Sequence, residues 1–446
     1  MIKRTRTSAA AMIPALAPQA QIPALYRDFL ARLAARGFSG EIRSDYATRL
    51  IAATDNSVYQ LVPVAVIYPQ TESDVAHALS LAHEDAFRDI KLSPRGAGTG
   101  TNGQALCDGV IMDVSRHQNR ILEVNLEERW VRVQPGVVLD QLNDHLRPMG
   151  VFFAPNLSPS SRATLGGMIN TDACGKGSRV YGKTSNHVLE LRSVLMDGTA
   201  WVSARLTPAE LEAVKARPGL VGEVHRVVDE IVTTRRGTIA QQFPRLARFL
   251  TGYNLAHVYD AQGNFNLNYI LAGSEGTLAV VTEAKLRLTP LPKHKQLFAV
   301  RYADFDAALR AANVLVQSDP GAIETVDSTI VGLARNDVVW HGVAHLLDGQ
   351  GEAPLAAVNL IEFESDDPEV VARKVRELTA MLDAERGKPG KSTGYALATS
   401  SADIAALWAL RKKGVGLLGN IKGERRPVPF VEDTAVPPER LADYIR

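Results

Sequence analysis

The residues that say most about chemistry run Pro94-Arg95-Gly96-Ala97-Gly98-Thr99-Gly100-Thr101-Asn102-Gly103. Four glycines in eight residues let the backbone turn through positive φ and approach a ligand closely. Successive N–H groups in such turns form a concave nest for an anion, typically phosphate. Gly98, Gly100 and Gly103 also satisfy GxGxxG. The dinucleotide fingerprint of that form opens a helix whose N-terminus holds a diphosphate. Here only six residues separate Gly103 from an apolar run starting at Val110, too few for such a helix. Backbone amides alone must then hold the phosphate. A plain glycine turn with no ligand is the alternative.

Two further glycine motifs follow. Ala163-Thr164-Leu165-Gly166-Gly167-Met168-Ile169-Asn170-Thr171-Asp172-Ala173-Cys174-Gly175 sets paired glycines among small polar residues. That suits close packing of chain against a flat ring with polar edges, or a tightly packed start of a helix. Ala272-Gly273-Ser274-Glu275-Gly276-Thr277-Leu278 leads into a strand ending in Thr282 and Glu283. His341 and His345 sit four apart and could share a helical face, but no third metal ligand is in view.

The elements that must position these motifs are mixed. Leu25, Phe29 and Leu33 recur at helical spacing from Ile22 to Gly37. Val64, Val66 and Ile67 form a strand, Thr71 offers an N-cap, and Val75, Ala78, Leu79 and Ala82 share a helical face. Strands are expected at Ile90–Ser93 and Val110–Val114, then a hairpin of two alternating runs, Leu122–Glu127 and Trp130–Gln134. Thr207, Pro208 and Glu210 open a helical stretch from Leu206 to about Phe249. A strand from Leu278 to Leu288 ends at the boundary marked by Pro290 and Pro292. The rhythm then becomes strand, helix, strand, twice: Leu297–Tyr302, a helix capped by Asp304 through Leu315, and Ala322–Val326; then Val358–Phe363, a helix from Asp367-Pro368 to about Leu382, and Tyr395–Thr399. A helix from Ile404 to about Leu418 follows. This pattern predicts an α+β protein whose last part is a ferredoxin-like cap, helices covering one face of an antiparallel sheet. Pro438, Glu439 and Arg440 open a final helix that stops at Arg446 without a glycine cap, so the chain is expected to be truncated.

Composition bounds the function. The chain has 446 residues, 46% hydrophobic and 22% charged, with a net charge of +1, so no broad basic surface for nucleic acid is implied. No run of about 18 apolar residues predicts a membrane span. Cys107 and Cys174 are the only cysteines, too few for a disulfide framework or a metal–sulfur cluster, and a reducing cytoplasm is the simplest setting. Met1–Ala20 carries Lys3, Arg4 and Arg6, but Pro14 and Pro18 interrupt its short apolar run, which favours a loose tail over a secretion signal.

Taken in order, the three motifs resemble those of the FAD-linked oxidases that share the vanillyl-alcohol oxidase, or PCMH, flavin fold. The stretches SPRGAGTGTNGQAL, ATLGGMINTDACGKGSRVYGKTSNHV, GSEGTLAVVTEA, ALRKKGVGLLGN and VEDTAVPP look most like the large bacterial D-2-hydroxyglutarate dehydrogenases, which resemble a D-lactate-dehydrogenase-type flavoprotein fused to a C-terminal iron–sulfur region. The resemblance implies a tail and helical segment over 1–57, a two-subdomain FAD-binding domain over 58–293 and an incomplete cap, or substrate, domain over 294–446. It implies that Arg95, Gly96, Ala97, Gly98, Thr99, Gly100, Thr101, Asn102 and Gly103 hold the FAD pyrophosphate. Pro155, Thr164, Gly166, Gly167, Asn170, Thr171, Ala173 and Gly175 would line the ribityl chain and isoalloxazine. Gly273, Ser274, Gly276, Thr277 and Val281 would contact flavin or adenine. Relatives with covalent flavin have a histidine where Thr99 stands, so non-covalent FAD is implied.

The resemblance further implies that Arg411, in Trp408-Ala409-Leu410-Arg411-Lys412-Lys413, binds the carboxylate of a 2-hydroxy acid, with Lys412 or Lys413 for the second carboxylate of a diacid. A solvated helix face is the alternative for this cluster. The expected reaction is oxidation of D-2-hydroxyglutarate, or of D-lactate, glycolate or an aldonolactone, by hydride transfer to flavin N5. The catalytic base, the metal ligands and the iron–sulfur cysteines are expected beyond Arg446, which leaves a non-catalytic flavin-binding module as the other reading. His187, the histidine nearest a flavin motif, is expected to be structural. The substrate is a small molecule. The electron acceptor is not named, and a homo-oligomer is left open.

Overall fold

Ala65-Val66-Ile67-Tyr68 has no polar alternation and is buried at all four positions, the pattern of a strand covered on both faces. In the computed structural model it lies within a four-stranded sheet, ordered Glu41–Arg43, Ala65–Tyr68, Val110–Asp113, Leu92–Arg95. The last three run parallel, and Glu41–Arg43 pairs antiparallel. The structure describes residues 22–246, 248, 252–348, 355–386, 388–418 and 434–446. The tail Met1–Ala20, the expected helix end near Phe249, and parts of the ALRKKGVGLLGN and VEDTAVPP stretches lie outside these residues.

Thr71 caps helix Glu72–Ala82 through a capping box with Asp74, as its spacing predicts. Helix Ala24–Ala35 packs beside it, with Phe29 and Leu33 fully buried against Ile67, Val75 and Ala78. Each such side chain contributes about 1.5–3 kcal/mol. Residues 24–57, set apart in the sequence reading, therefore help build the core of this sheet.

The second sheet has six antiparallel strands, ordered Phe265–Asn266, Ala200–Leu206, Val188–Val194, Val280–Arg287, Trp130–Val133, Ile121–Asn125. The expected hairpin forms one edge. Val188–Val194 and Ala200–Leu206 escape sequence reading. Register shifts between Val281 and Glu283, and between Lys285 and Leu286, break the two-residue period where Val188–Val194 pairs. The helical stretch after Leu206 is three helices, Pro208–Lys215, Gly219–Thr234 and Arg236–Gln242. Pro218, followed by Gly219 at φ 79°, breaks the first from the second.

The cap sheet is antiparallel, ordered Ala322–Asp327, Ala357–Ser365, His294–Tyr302, Gly394–Ala398. Here the structure corrects the expectation of helices on one face. Phe305–Leu315 and Pro368–Glu385 cover the side carrying Phe298, Ile361 and Phe363. Ser328–Ala334, Ala344–Leu347 and Ser401–Leu418 cover the side carrying Leu297, Val358 and Leu360. The reason is visible in Ala357–Phe363, buried at every position: a strand between two helical layers loses its alternation. The two short helices are too brief to show an apolar stripe in sequence. The final helix, Leu441–Ile445, packs on Phe305–Leu315, where Arg310 Nη2 donates to Asp443 at 2.9 Å. Among the described residues no helix is long and apolar enough to cross a membrane.

Phe298 is fully buried, with the Phe363 and Tyr395 rings 6.2 and 5.6 Å away. Phe298→Ala is expected to cost about 3–5 kcal/mol, read as a lower urea midpoint for unfolding of the cap.

Candidate functional site

The three glycine motifs line one cleft of about 1360 Å³, closed on its far side by helix Ser401–Leu418 of the cap. After strand Leu92–Arg95 the first motif forms turns, not a helix. Among the described residues the amides of Ala97, Gly98, Thr99, Gly100 and Thr101 donate to no protein acceptor. A run of unsatisfied N–H groups facing a cleft is what an anion nest requires. The loop is fixed from behind. Arg95 Nη1 donates to the carbonyls of Ala52 and Ala105 at 3.1 and 3.0 Å, and Nη2 to that of Thr54 at 2.6 Å. Burial pulls the Arg95 pKa below its ordinary value, against the carboxylates of Asp113 and Asp55. The guanidinium thus braces the loop from behind, and the loop lines the cleft.

The second motif begins with Thr164, which caps helix Leu165–Asn170. Its hydroxyl lies where a methyl on Gly96 would have to sit, so any side chain at 96 would drive the first motif off the second. The third motif is held to the second by Asn170. Glu275 N donates to its carbonyl at 2.8 Å and Gly276 N to its Oδ1 at 3.1 Å. Gly276 has φ 76°, and a Cβ there would fall 2.5 Å from Pro94 Cγ. The three motifs therefore interlock. Beneath them, Asp172 at φ 46° accepts from Ser185 N at 2.8 Å and pairs with buried Lys183 at 2.5 Å.

The cap presents consecutive cations. Arg411 Nη1 donates to the Ser158 hydroxyl at 2.8 Å and Nε to Glu324 at 2.9 Å. Lys412 Nζ reaches the Ser160 hydroxyl at 2.7 Å, with Asp140 at 3.6 Å. Lys413 lies 3.3 Å from Asp337. One turn earlier, Trp408 Nε1 donates to buried Glu362 at 2.6 Å. Lys176, just past the second motif, donates to the same carboxylate at 2.7 Å and lies 4.0 Å from the Trp408 ring centre. Tyr181 donates to Glu364 at 2.6 Å, and burial first, then that carboxylate, hold its hydroxyl far above the ordinary phenol range.

Of the residues expected to hold cofactor, Gly103, Pro155, Ser274 and Thr277 do not line the cleft. Thr277 instead bonds the Ser274 carbonyl and the Tyr253 hydroxyl. The other eighteen do line it, as do Arg411, Lys412 and Lys413. Lys176, Lys183, Glu324 and Ser158 were missed. Lys183 and Ser158 stand among ordinary polar residues in sequence, and only folding brings them to the site. His187 is buried edge-on to Phe153, 2.7 Å from the Tyr181 carbonyl, and burial lowers its pKa. It does not line the cleft. His345 pairs with Asp403, and among the described residues no three metal-ligating side chains converge.

Comparison with known proteins follows this division. Residues 63–203 match the FAD binding domain family, and residues 291–446 match the FAD linked oxidases, C-terminal domain. A D-2-hydroxyglutarate dehydrogenase of Pseudomonas putida is 52% identical over 98% of the chain, and one of Escherichia coli 47% identical over 97%. The chain spans 43% of the length of each. The fold is shared with alkyldihydroxyacetonephosphate synthase, at a TM-score of 0.62 and 18% identity, over 90% of this chain and 66% of that one. Matched in order around one cleft, residues 63–203 belong to the FAD binding domain family and residues 291–446 to the FAD linked oxidases, C-terminal domain, family.

Proposed function

We propose that the chain binds FAD without a covalent bond and serves the oxidation of a D-2-hydroxy acid, D-2-hydroxyglutarate in the first place, to the 2-oxo acid. The observation that carries this reading is the pairing of an unsatisfied amide nest with a cationic cap helix across one cleft. The described residues lining that cleft include eight Lys or Arg and five Asp or Glu, a balance suited to anionic ligands.

FAD bound there supplies the acceptor for the hydride leaving the substrate Cα. The residues of this chain bind and orient. The amides of Ala97 to Thr101 are the donors for the diphosphate. The interlocked backbone around Gly166, Gly167 and Gly175 is the surface for the ring system. Arg411 offers a planar fork to the substrate carboxylate adjoining the hydroxyl carbon. Lys412, whose nearest partner is a hydroxyl, is the better placed of the two lysines for a second carboxylate, since the partner of Lys413 among the described residues is a carboxylate. That favours a diacid over D-lactate or glycolate. Thr99 cannot form the covalent link that a histidine makes, and no histidine lines the cleft among the described residues.

Acid precipitation is expected to leave FAD in the supernatant and a colourless pellet. A yellow pellet would refute non-covalent binding. Gly96→Val is expected to purify with at least about tenfold less FAD, because its side chain collides with Thr164.

Mixed anaerobically with D-2-hydroxyglutarate, D-lactate and glycolate in turn, the FAD-loaded full-length protein is expected to bleach with D-2-hydroxyglutarate. Bleaching by a monoacid alone would move the substrate assignment, and bleaching by none would favour a flavin-binding module. Arg411→Ala is expected to weaken the dependence on D-2-hydroxyglutarate roughly 100-fold, the loss of about 3 kcal/mol of charge-assisted hydrogen bonding.

A further inference from the structure

Two carboxylates stand on one face of the cap sheet. Glu324 on strand Ala322–Asp327 pairs in register with Leu360, and Glu362 lies two residues along the neighbouring strand on the same side. Helix Ser401–Leu418 crosses this face, burying Leu407 and Leu410. Trp408 and Arg411, three apart, share one side of that helix. Glu362 takes Trp408, and Glu324 takes Arg411.

The atom that Glu324 contacts is telling. It accepts from Arg411 Nε alone, at 2.9 Å. The two Nη groups at the end of the fork are left for the cleft. Nη1 rests on the Ser158 hydroxyl, and Nη2 has no hydrogen-bond partner among the described residues. A neutral hydroxyl is a weaker partner for a guanidinium than a carboxylate, so an incoming carboxylate can displace it. The Glu324 side chain is only 19% exposed, which narrows the rotamers open to it.

We propose that Glu324 is a positioning residue: by fixing Arg411 through Nε it presents the Nη edge to the substrate carboxylate, with Ser158 as the placeholder which that carboxylate replaces. This rests on the carboxylate reading of Arg411 given above. Simple electrostatics makes the opposite prediction, because a second anion close to Arg411 repels an anionic ligand. The sign of the effect therefore decides between orientation and bystander charge.

The test is calorimetric titration of 2-oxoglutarate, the non-reducing product, into the FAD-loaded protein. Glu324→Ala is expected to raise Kd about three- to tenfold, the consequence of ordering one long side chain at each binding event. Glu324→Gln keeps the acceptor without the charge and is expected to bind at least as tightly as the native protein. Glu324→Asp keeps the charge but withdraws the acceptor, so it should weaken binding in the same direction, and it serves if the alanine variant loses its FAD or its fold. Native or tighter binding by Glu324→Ala, or equal weakening by Glu324→Gln, would overturn the role of Glu324 alone, provided Arg411→Ala binds weakly. Unchanged binding by Arg411→Ala would instead sink the carboxylate reading, and the positioning role with it.

Discussion

Three separate stretches of backbone meet at points where a side chain would not fit. Gly96 lies against the Thr164 hydroxyl, and Gly276 lies against Pro94. These contacts bind the first motif to the second and the third to the first, and Asn170 closes the ring between second and third. Because the segments are held by close approach of glycine backbone to neighbouring side chains, the intervening loop needs no internal ladder. Its amides are left unsatisfied on the cleft side. In a folded chain, unpaired amides persist only when their loop is held from elsewhere. Here the bracing comes from Arg95, whose guanidinium takes three carbonyls behind the loop.

The cap depends on a complementary constraint. Its central strands are covered on both sides, so polar side chains facing either layer must find partners. Asn359 does so through Thr325 and the Ala308 carbonyl. Glu362 does so through Trp408 of the cap helix and Lys176 of the FAD-binding domain. One buried carboxylate thereby ties the sheet, the helix above it and the opposite domain together. Tyr181 and Lys295 treat Glu364 in a similar way from the two domains. The cleft is thus bounded by contacts that burial itself demands.

This explains what was legible in the sequence. Glycine density, caps such as Thr71 and Asp304, and alternation in the Ile121–Asn125 hairpin strand are local signals, and each marks its element within a few residues. The cleft-lining positions within the glycine motifs were legible for the same reason. What failed was non-local. Lys176 and Glu362 are 186 residues apart, and Arg411 and Glu324 are 87 apart. No spacing rule links such pairs. The second helical layer of the cap was hidden for a related reason. A strand such as Ala357–Phe363, apolar except at Asn359 and Glu362, does not say whether one face or two will be covered until the short helices between Ser328 and Leu347 are in place.

The partners of the cleft cations separate two jobs. Lys183 and Lys176 are each met by a buried carboxylate, Asp172 and Glu362, so their charge is already matched within the protein. Removing either lysine would strand a buried anion, which is costly. Arg411 and Lys412 have serine hydroxyls as near partners on their cleft side, Ser158 and Ser160. A hydroxyl satisfies hydrogen-bonding geometry without neutralising charge. Arg411 also carries Glu324 on its Nε and Lys412 lies 3.6 Å from Asp140, so it is the serine-partnered edge of each cation that remains available to an anion entering the cleft, while the side chains stay ordered before it arrives. An unpartnered cation at the same place would bind with greater ordering cost, and one matched fully by a carboxylate would attract little. Pairing with serine lies between these extremes, and it is found at the cap helix, across the cleft from the glycine loops.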